Sequence, residues 1–399
     1  MFLKKSRDRG TFRCLKSSNY PKFGAERPVK MGTRNSGIFE LVQSMGHEQV
    51  VFCHDKATGL KAIIGIHDTT LGPALGGTRL WDYASDEDAL VDVLRLSHGM
   101  TYKAACAGLN LGGGKAVIIG DAKKIKSEAM FRAFGRFVNS LGGRYITAED
   151  VNINVNDMEQ VAAETQFVTG ISSRPGGSGD PSPVTAWGVY SGLRAAVKHR
   201  LGKDNLAGLK VSVQGIGAVG KYLCGYLAKD GVKLVVTDVD QSRIDYAVKE
   251  FGAVAVRDTE IYGVDVDVFA PCALGAILND ETIPMLKAKV IAGGANNQLK
   301  EERHGAALVE RGILYAPDYV INAGGLINVY NELIGYNGEV ARKQAGNIYQ
   351  TLTSVFADAE KRGIPTGKAS DLFAERRISS VRGVAGLRNT ITNQPWSKI

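Results

Sequence analysis

Val211-Ser212-Val213-Gln214-Gly215-Ile216-Gly217-Ala218-Val219-Gly220 decides the reading of this chain. An apolar strand runs into a GxGxxG turn, and apolar residues at helical spacing follow over 218–229. Each glycine has its own reason. Gly215 permits the tight turn, Gly217 lets a pyrophosphate approach the backbone, and Gly220 lets the helix pack on its strand. The helix N-terminus offers unpaired N–H groups and partial positive charge to phosphate. A second strand, 233–237, ends at Asp238, 23 positions after Gly215. A carboxylate there accepts hydrogen bonds from a ribose 2′-OH and repels a 2′-phosphate. Arg243 is five residues further on, so the site reads as one for NAD rather than NADP.

Working outward, the alternation continues with a helix over 241–251 and short apolar strands at 266–269, 290–292 and 313–315. Strands alternating with helices imply a parallel sheet covered on both faces. Upstream, 38–45 reads as a short amphipathic helix, and 50–54 and 60–67 as strands joined by a turn. Helices fit 86–98 and 127–141, and buried strands fit 117–119 and 144–147. A Gly/Ser/Pro-rich connector, 172–183, precedes a helix at 185–199. The chain of 399 residues is long enough for two domains. The expected division is 1–36 as a disordered basic extension, 37–180 as a substrate-binding domain, 181–346 as a Rossmann-type NAD-binding domain, and 347–399 as a helical segment packing back on the first domain. The fold class is α/β.

The net charge of +8 would suit a nucleic-acid partner if it were spread over the fold. Residues 1–30 carry nine of the 49 basic groups and two of the 41 acids, which leaves the remainder at 40 against 39. The body is nearly neutral and no nucleic-acid partner is expected. No apolar run reaches the ~20 residues of a membrane span. Five cysteines with no CxxC spacing fit a reducing cytoplasm and argue against a zinc site.

Three stretches before the connector place glycines beside single charged residues: Gly72-Pro73-Ala74-Leu75-Gly76-Gly77-Thr78-Arg79, Gly99-Met100-Thr101-Tyr102-Lys103 and Gly112-Gly113-Gly114-Lys115. They suggest backbone close to a ligand with a cation aimed at it. An ordinary exposed position is the commonest fate of a lysine, and the pattern alone leaves both readings open for Lys103 and Lys115.

Together with Ala148-Glu149-Asp150-Val151, Pro271-Cys272-Ala273-Leu274-Gly275, Ala295-Asn296-Asn297 and Asn322-Ala323-Gly324-Gly325, these stretches resemble the leucine/phenylalanine/valine dehydrogenases of the glutamate dehydrogenase superfamily. The resemblance runs from about Gly46 to Arg377. It implies NAD-dependent oxidative deamination of an amino acid by a homo-oligomer, an octamer among the assemblies of that family. By the same resemblance Lys103 binds the substrate carboxylate beside Gly76 and Gly77. Lys115 is the base that takes a proton from water, and Asp150 relays protons to the substrate nitrogen. Asn296 lies near substrate and nicotinamide, and Thr185 contacts the nicotinamide amide. Val219 and Ala273 join Gly215, Gly217, Gly220 and Asp238 around the cofactor. Cys106, Cys272, His67 and His98 read as packing groups.

Leu75 stands where glutamate enzymes of the superfamily place a lysine, and Val329 where they place a serine. Burying a carboxylate there would cost on the order of several kcal/mol, so an apolar side chain is expected. Ala148 resembles the leucine type; Leu326 resembles the phenylalanine type. The run Tyr330-Asn331-Glu332 also looks like tryptophan-oxidising relatives. Leucine, with valine and isoleucine, is the expected substrate. A phenylalanine or tryptophan dehydrogenase with the same mechanism is the alternative, and a non-catalytic NAD-binding regulator is the rival from another class.

Overall fold

The structure, a computed structural model, describes residues 37–171 and 177–383. The basic extension 1–36, the connector residues 172–176 and the terminus 384–399 lie outside the described residues. After helix α1 (Ile38–Ser44) come strands β1 (Gln49–Asp55), β2 (Leu60–Asp68) and β3 (Ala74–Trp81), helix α2 (Asp86–Cys106) and strand β4 (Gly112–Ile119). Helices α3 (Ala122–Ile125) and α4 (Glu128–Ser140), strand β5 (Tyr145–Glu149) and helix α5 (Val155–Ala162) complete this half. The strands form one sheet in the order β1-β2-β4-β3-β5. β4 slots between β2 and β3, antiparallel to the first and parallel to the second.

Side chains alternate across a strand, and β2 and β4 use both faces. Ile63 and Val117 meet Leu90, Val93 and Leu94 of α2. Ile64, Ile66, Ala116 and Ile118 meet Phe131, Phe134 and Tyr145. Ser85 caps α2 by accepting from Asp88 N at 3.1 Å, and Ser127 caps α4 through Met130 N at 3.2 Å.

Three local expectations change here. The helix foreseen at 86–98 runs on to Cys106, so Gly99–Lys103 is helical. The strand foreseen at 117–119 begins at Gly112, and Gly72–Arg79 contains the central strand β3. Glycine weakens strand propensity, so the pattern hid both. Packing explains the residue: a Cβ on Gly76 would overlap the Gly114 carbonyl, and one on Gly114 would press on the Tyr145 ring.

The second half opens with α6 (Ser182–Leu201) and continues β6 (Lys210–Gln214), α7 (Ala218–Lys229), β7 (Lys233–Thr237), α8 (Gln241–Phe251) and β8 (Val254–Ala255). Then come β9 (Val268–Pro271), β10 (Val290–Ile291), α9 (Arg303–Glu310) and β11 (Leu314–Tyr315). All six strands are parallel, in the order β11-β10-β9-β6-β7-β8. The four elements from β6 to α8 coincide with the sequence reading, because strand, turn and helix signals there are all local. β8, two exposed residues long, carried no such signal.

Five helices follow: α10 (Asp318–Ile321), α11 (Gly324–Leu333), α12 (Gly338–Gly346), α13 (Ile348–Arg362) and α14 (Thr366–Arg382). α13 packs on α6, while α14 returns to α2. Arg377 Nη1 donates to Leu109 O at 2.6 Å, Tyr102 Oη donates to Glu375 at 3.2 Å, and Arg382 pairs with Asp68. One apolar cluster runs from Leu75, Ile146 and Ala104–Cys106 through Leu326 and Ile327 to Val211 and Val213. The two sheets therefore share a seam. Among the described residues no helix is long and apolar enough to cross a membrane.

Candidate active site

The parallel pairing of β3 with both β4 and β5 brings two polar side chains to one place. Leu75 pairs with Gly113 on one side, and Gly77 pairs with Ala148 on the other. Lys115 follows on β4 and Asp150 follows the end of β5. Lys115 Nζ donates to Asp150 Oδ2 at 2.7 Å. Gly76 and Gly77 lie between them: a Cβ on Gly77 would sit 2.9 Å from Asp150 Cβ. Backbone thus floors a space with a lysine and an aspartate at its edge.

Lys115 is only 6% exposed. Burial lowers its pKa from the ordinary lysine value; Asp150 opposes this, and Arg79 adds to it. Burial pushes Asp150 up, but Lys115 and Arg79 outweigh it and hold the carboxyl below its ordinary value. Lys103, in the last turn of α2, is brought down to about 8 by burial, with Asp318 opposing and Lys115 assisting. It forms no ion pair among the described residues; Asp318 and Asp150 act on it only at longer range, so its ammonium is open to direct contact with a ligand carboxylate.

On the second sheet, Gly215 takes φ +94° and Gly217 caps α7. A Cβ on Gly220 would overlap the Gly215 carbonyl, whereas one on Gly217 would meet only Arg243 Nη1, at 4.0 Å. Open space above Gly217 is what a pyrophosphate needs. Ala273 packs on Gly215, and Val219 lies against Gly294. Asp238 Oδ2 accepts from Ile216 N at 2.6 Å and Oδ1 from Asp240 N at 2.9 Å. The first turn of α8 brings Arg243 to 3.6 Å from Asp238 and 3.4 Å from Asp240, a proximity that its sequence distance did not reveal.

At the seam, Asn322 Nδ2 donates to Asn296 Oδ1 at 2.7 Å. Asn322 Oδ1 is buried and accepts no hydrogen bond among the described residues, which suits an amide-bearing ligand. The N-terminus of α6 meets that of α11, with Thr185 Oγ1 3.0 Å from where a Gly325 Cβ would lie. Leu326 and Val329 are three residues apart on α11, hence on one face, and pack in the same apolar cluster as Leu75 and Ile146. Ala148 is buried on β5 beside Gly77. Glu332, also on α11, accepts from Gly170 N at 3.0 Å and Ser178 N at 2.9 Å, tying the helix to both sides of the connector.

With this geometry in hand, comparison with known proteins is informative. The description "Glu/Leu/Phe/Val dehydrogenase, dimerisation domain" matches residues 47–167, and "Glutamate/Leucine/Phenylalanine/Valine dehydrogenase" matches 237–385. A leucine dehydrogenase of Bacillus cereus is 61% identical over 345 residues, covering 86% of this chain and 94% of that protein. The chain belongs to the Glu/Leu/Phe/Val dehydrogenase family. An L-tryptophan dehydrogenase of Nostoc punctiforme is 56% identical over 344 residues, covering 86% of this chain and 96% of that one. The solved L-tryptophan dehydrogenase from Nostoc punctiforme superposes with a TM-score of 0.79 at 52% identity, covering 86% of this chain and 99% of that chain. This family member is an amino-acid dehydrogenase of two-domain α/β architecture that works with a nicotinamide cofactor.

Several neighbours of the site carried no role in the sequence reading. Arg79 stood in a quoted stretch, yet nothing local marked it as a partner of Asp150. Asp92 and Tyr83 hold Arg79, and Asp318 biases Lys103 across the seam. Only the fold brings these groups together. The histidines meet edge to face: His67 lies 4.8 Å from His47 and 4.6 Å from His98, ring centre to ring centre. Burial lowers His47 to about 4 and His67 to about 3, so both are uncharged at neutral pH. Burial raises the Cys272 thiol to about 11, which keeps it protonated.

Proposed function

We propose that this amino-acid dehydrogenase oxidatively deaminates L-leucine, and also valine and isoleucine, with NAD. The observation that carries the reading is the 2.7 Å contact between Lys115 Nζ and Asp150 Oδ2, with the unpaired Lys103 nearby. The Lys103 ammonium binds the substrate carboxylate. Asp150 takes a proton from the substrate nitrogen. When bound, the nicotinamide cofactor accepts the hydride that leaves Cα. Uncharged Lys115 takes a proton from water as the water oxygen bonds to the imine carbon. Asp150 returns a proton to nitrogen, and the carbon–nitrogen bond breaks as the hydroxyl proton passes to the departing nitrogen, giving ammonium and the 2-oxo acid, while Lys115 releases its proton to solvent. Burial and Arg79 both favour the uncharged Lys115 that this step requires.

Leu75, Leu326, Val329 and Ala148 supply an apolar pocket with no partner for a second carboxylate. The strong likeness to a leucine dehydrogenase supports leucine as the preferred substrate. For the cofactor, Asp238 and Asp240 face one Arg243 and leave the ribose end of the site net negative, which disfavours a 2′-phosphate. The residues take the roles that the resemblance implied, with Gly215, Gly217, Gly220, Val219, Ala273, Thr185 and Asn296 around the cofactor. The working unit is a cytoplasmic homo-oligomer, an octamer, with residues 37–180 and 181–346 as its two domains and the described part of the C-terminal segment, to Gly383, closing back on the first. A second reading, oxidation of an aromatic amino acid, is favoured by Leu326 and by the tryptophan-oxidising relative. Steady-state reduction of NAD with a panel of L-amino acids at alkaline pH decides between them. Leucine is expected to give the highest kcat/KM; a higher value on phenylalanine or tryptophan overturns the choice.

A further inference from the structure

Arg79 touches the proton-handling pair but has no part in the scheme above. It projects from β3, and its Nε lies 3.3 Å from Asp150 Oδ2, the same oxygen that Lys115 holds at 2.7 Å. Asp150 Oδ1 accepts no hydrogen bond among the described residues. One carboxylate oxygen therefore carries two cations, and the other is left for a ligand. Arg79 is itself fixed. Its Nη1 donates to Asp92 Oδ2 at 3.0 Å, and Tyr83 Oη donates to the same oxygen at 2.7 Å. Asp92 belongs to α2, the helix that carries Lys103 in its last turn, so the guanidinium also ties β3 to that helix.

We propose that Arg79 is a positioning residue for the reaction: it shares the Asp150 oxygen that Lys115 binds, so that the carboxylate stays ionised with its other oxygen turned to the substrate nitrogen, and Lys115 is not locked in a one-to-one ion pair. The inference rests on Lys115 and Asp150 being the proton-handling groups. The arrangement has a physical logic. A lysine paired alone with a buried carboxylate would keep its proton, and a second cation on the same oxygen competes for that charge. Arg79 suits the task because a guanidinium stays charged, and its planar fork holds two carboxylates at once. The charged and titratable groups facing this cluster are Asp150, Asp92, Tyr83, Tyr145, Lys115 and Lys103, with Asp318 beyond Lys103. Burial and Asp92 raise Tyr83, which keeps it a hydrogen-bond donor at any working pH.

The test is the pH dependence of kcat/KM for leucine in Arg79→Ala, Arg79→Lys and Asp92→Asn, with NADH binding followed by fluorescence. In Arg79→Ala, kcat should fall about tenfold or more, and the ascending limb should move to higher pH by about one unit. KM for leucine and NADH affinity should stay within about threefold of the parent, since Arg79 binds neither. Arg79→Lys should bring the limb back towards the parent. Asp92→Asn, which keeps Arg79 but loosens it, should shift the limb less and in the same direction. A limb unmoved in the folded variants, or an Arg79→Lys no better than Arg79→Ala, overturns the proposal. If Arg79→Ala does not fold, Arg79→Lys and Asp92→Asn carry the same comparison. Lys115→Ala separates the two levels of argument. If it turns over normally, the base assignment itself falls; if it is inactive while the Arg79 variants keep the parental pH profile, the Arg79 proposal alone fails.

Discussion

The two halves of the molecule build their functional surfaces in different ways. In the second sheet, the framework of the phosphate site lies between Lys210 and Asp238, as one strand, one glycine turn, one helix and the acid ending the next strand, with Ala273 and Arg243 closing on it from outside. In the first sheet, Lys115 and Asp150 come from a strand and a post-strand turn and meet because β4 and β5 flank β3, while Lys103 comes from helix α2 within electrostatic reach of both. A local site survives as a motif. A site assembled across a sheet depends on strand order, and its glycines exist to let strands and turns close up. Gly217 and Gly76 make the contrast concrete, since one faces open space and the other faces backbone.

The largest expected effect breaks the chemistry without touching the fold. Lys115→Ala should lower kcat by about 10²–10⁴ and leave NADH binding intact, as seen by fluorescence titration. Near-normal turnover in that variant would remove the base from the first sheet. Next comes the glycine pair. Gly76→Ala should cost about 1–3 kcal/mol or more, because its Cβ has to displace the Gly114 carbonyl; denaturant unfolding measures this. Gly217→Ala should leave unfolding unchanged within about 0.5 kcal/mol and weaken NAD binding instead. If the two glycines behave alike, the comparison between the sheets fails.

A smaller effect concerns pH. Because Lys103 is brought down to about 8, it loses its charge as pH rises through that value. Leucine binding should therefore weaken above pH 8, giving kcat/KM a descending limb opposite the ascending limb of Lys115. Lys103→Ala should raise KM and abolish that descending limb; its persistence would assign the limb to another group. The smallest expected effect is on cofactor choice. Asp238→Asn keeps an acceptor for the 2′-OH but removes one charge facing Arg243, so NADP use should rise by about tenfold or less relative to NAD. An unchanged ratio would leave the preference to groups other than this acid.

The sequence by itself determined the parallel sheet, the glycine turn and the bounds of β6, α7, β7 and α8, since hydrophobic period, turn glycines and capping all act over a few residues. It also marked the two lysines and the aspartate, by resemblance rather than by pattern. The tertiary structure decided the rest. Gly72–Arg79 reads only as glycines beside a charge until β4 and β5 are laid beside it as a central strand, and Gly99–Lys103 reads the same way until α2 is seen to run on to Cys106. Arg79, Asp92 and Tyr83 form one network although Asp150 lies 71 residues from Arg79. Arg243 reaches Asp238 only because α8 turns it back. Electrostatic neighbours are set by distance in space, and in a sheet whose strands are out of chain order that distance cannot be read along the chain.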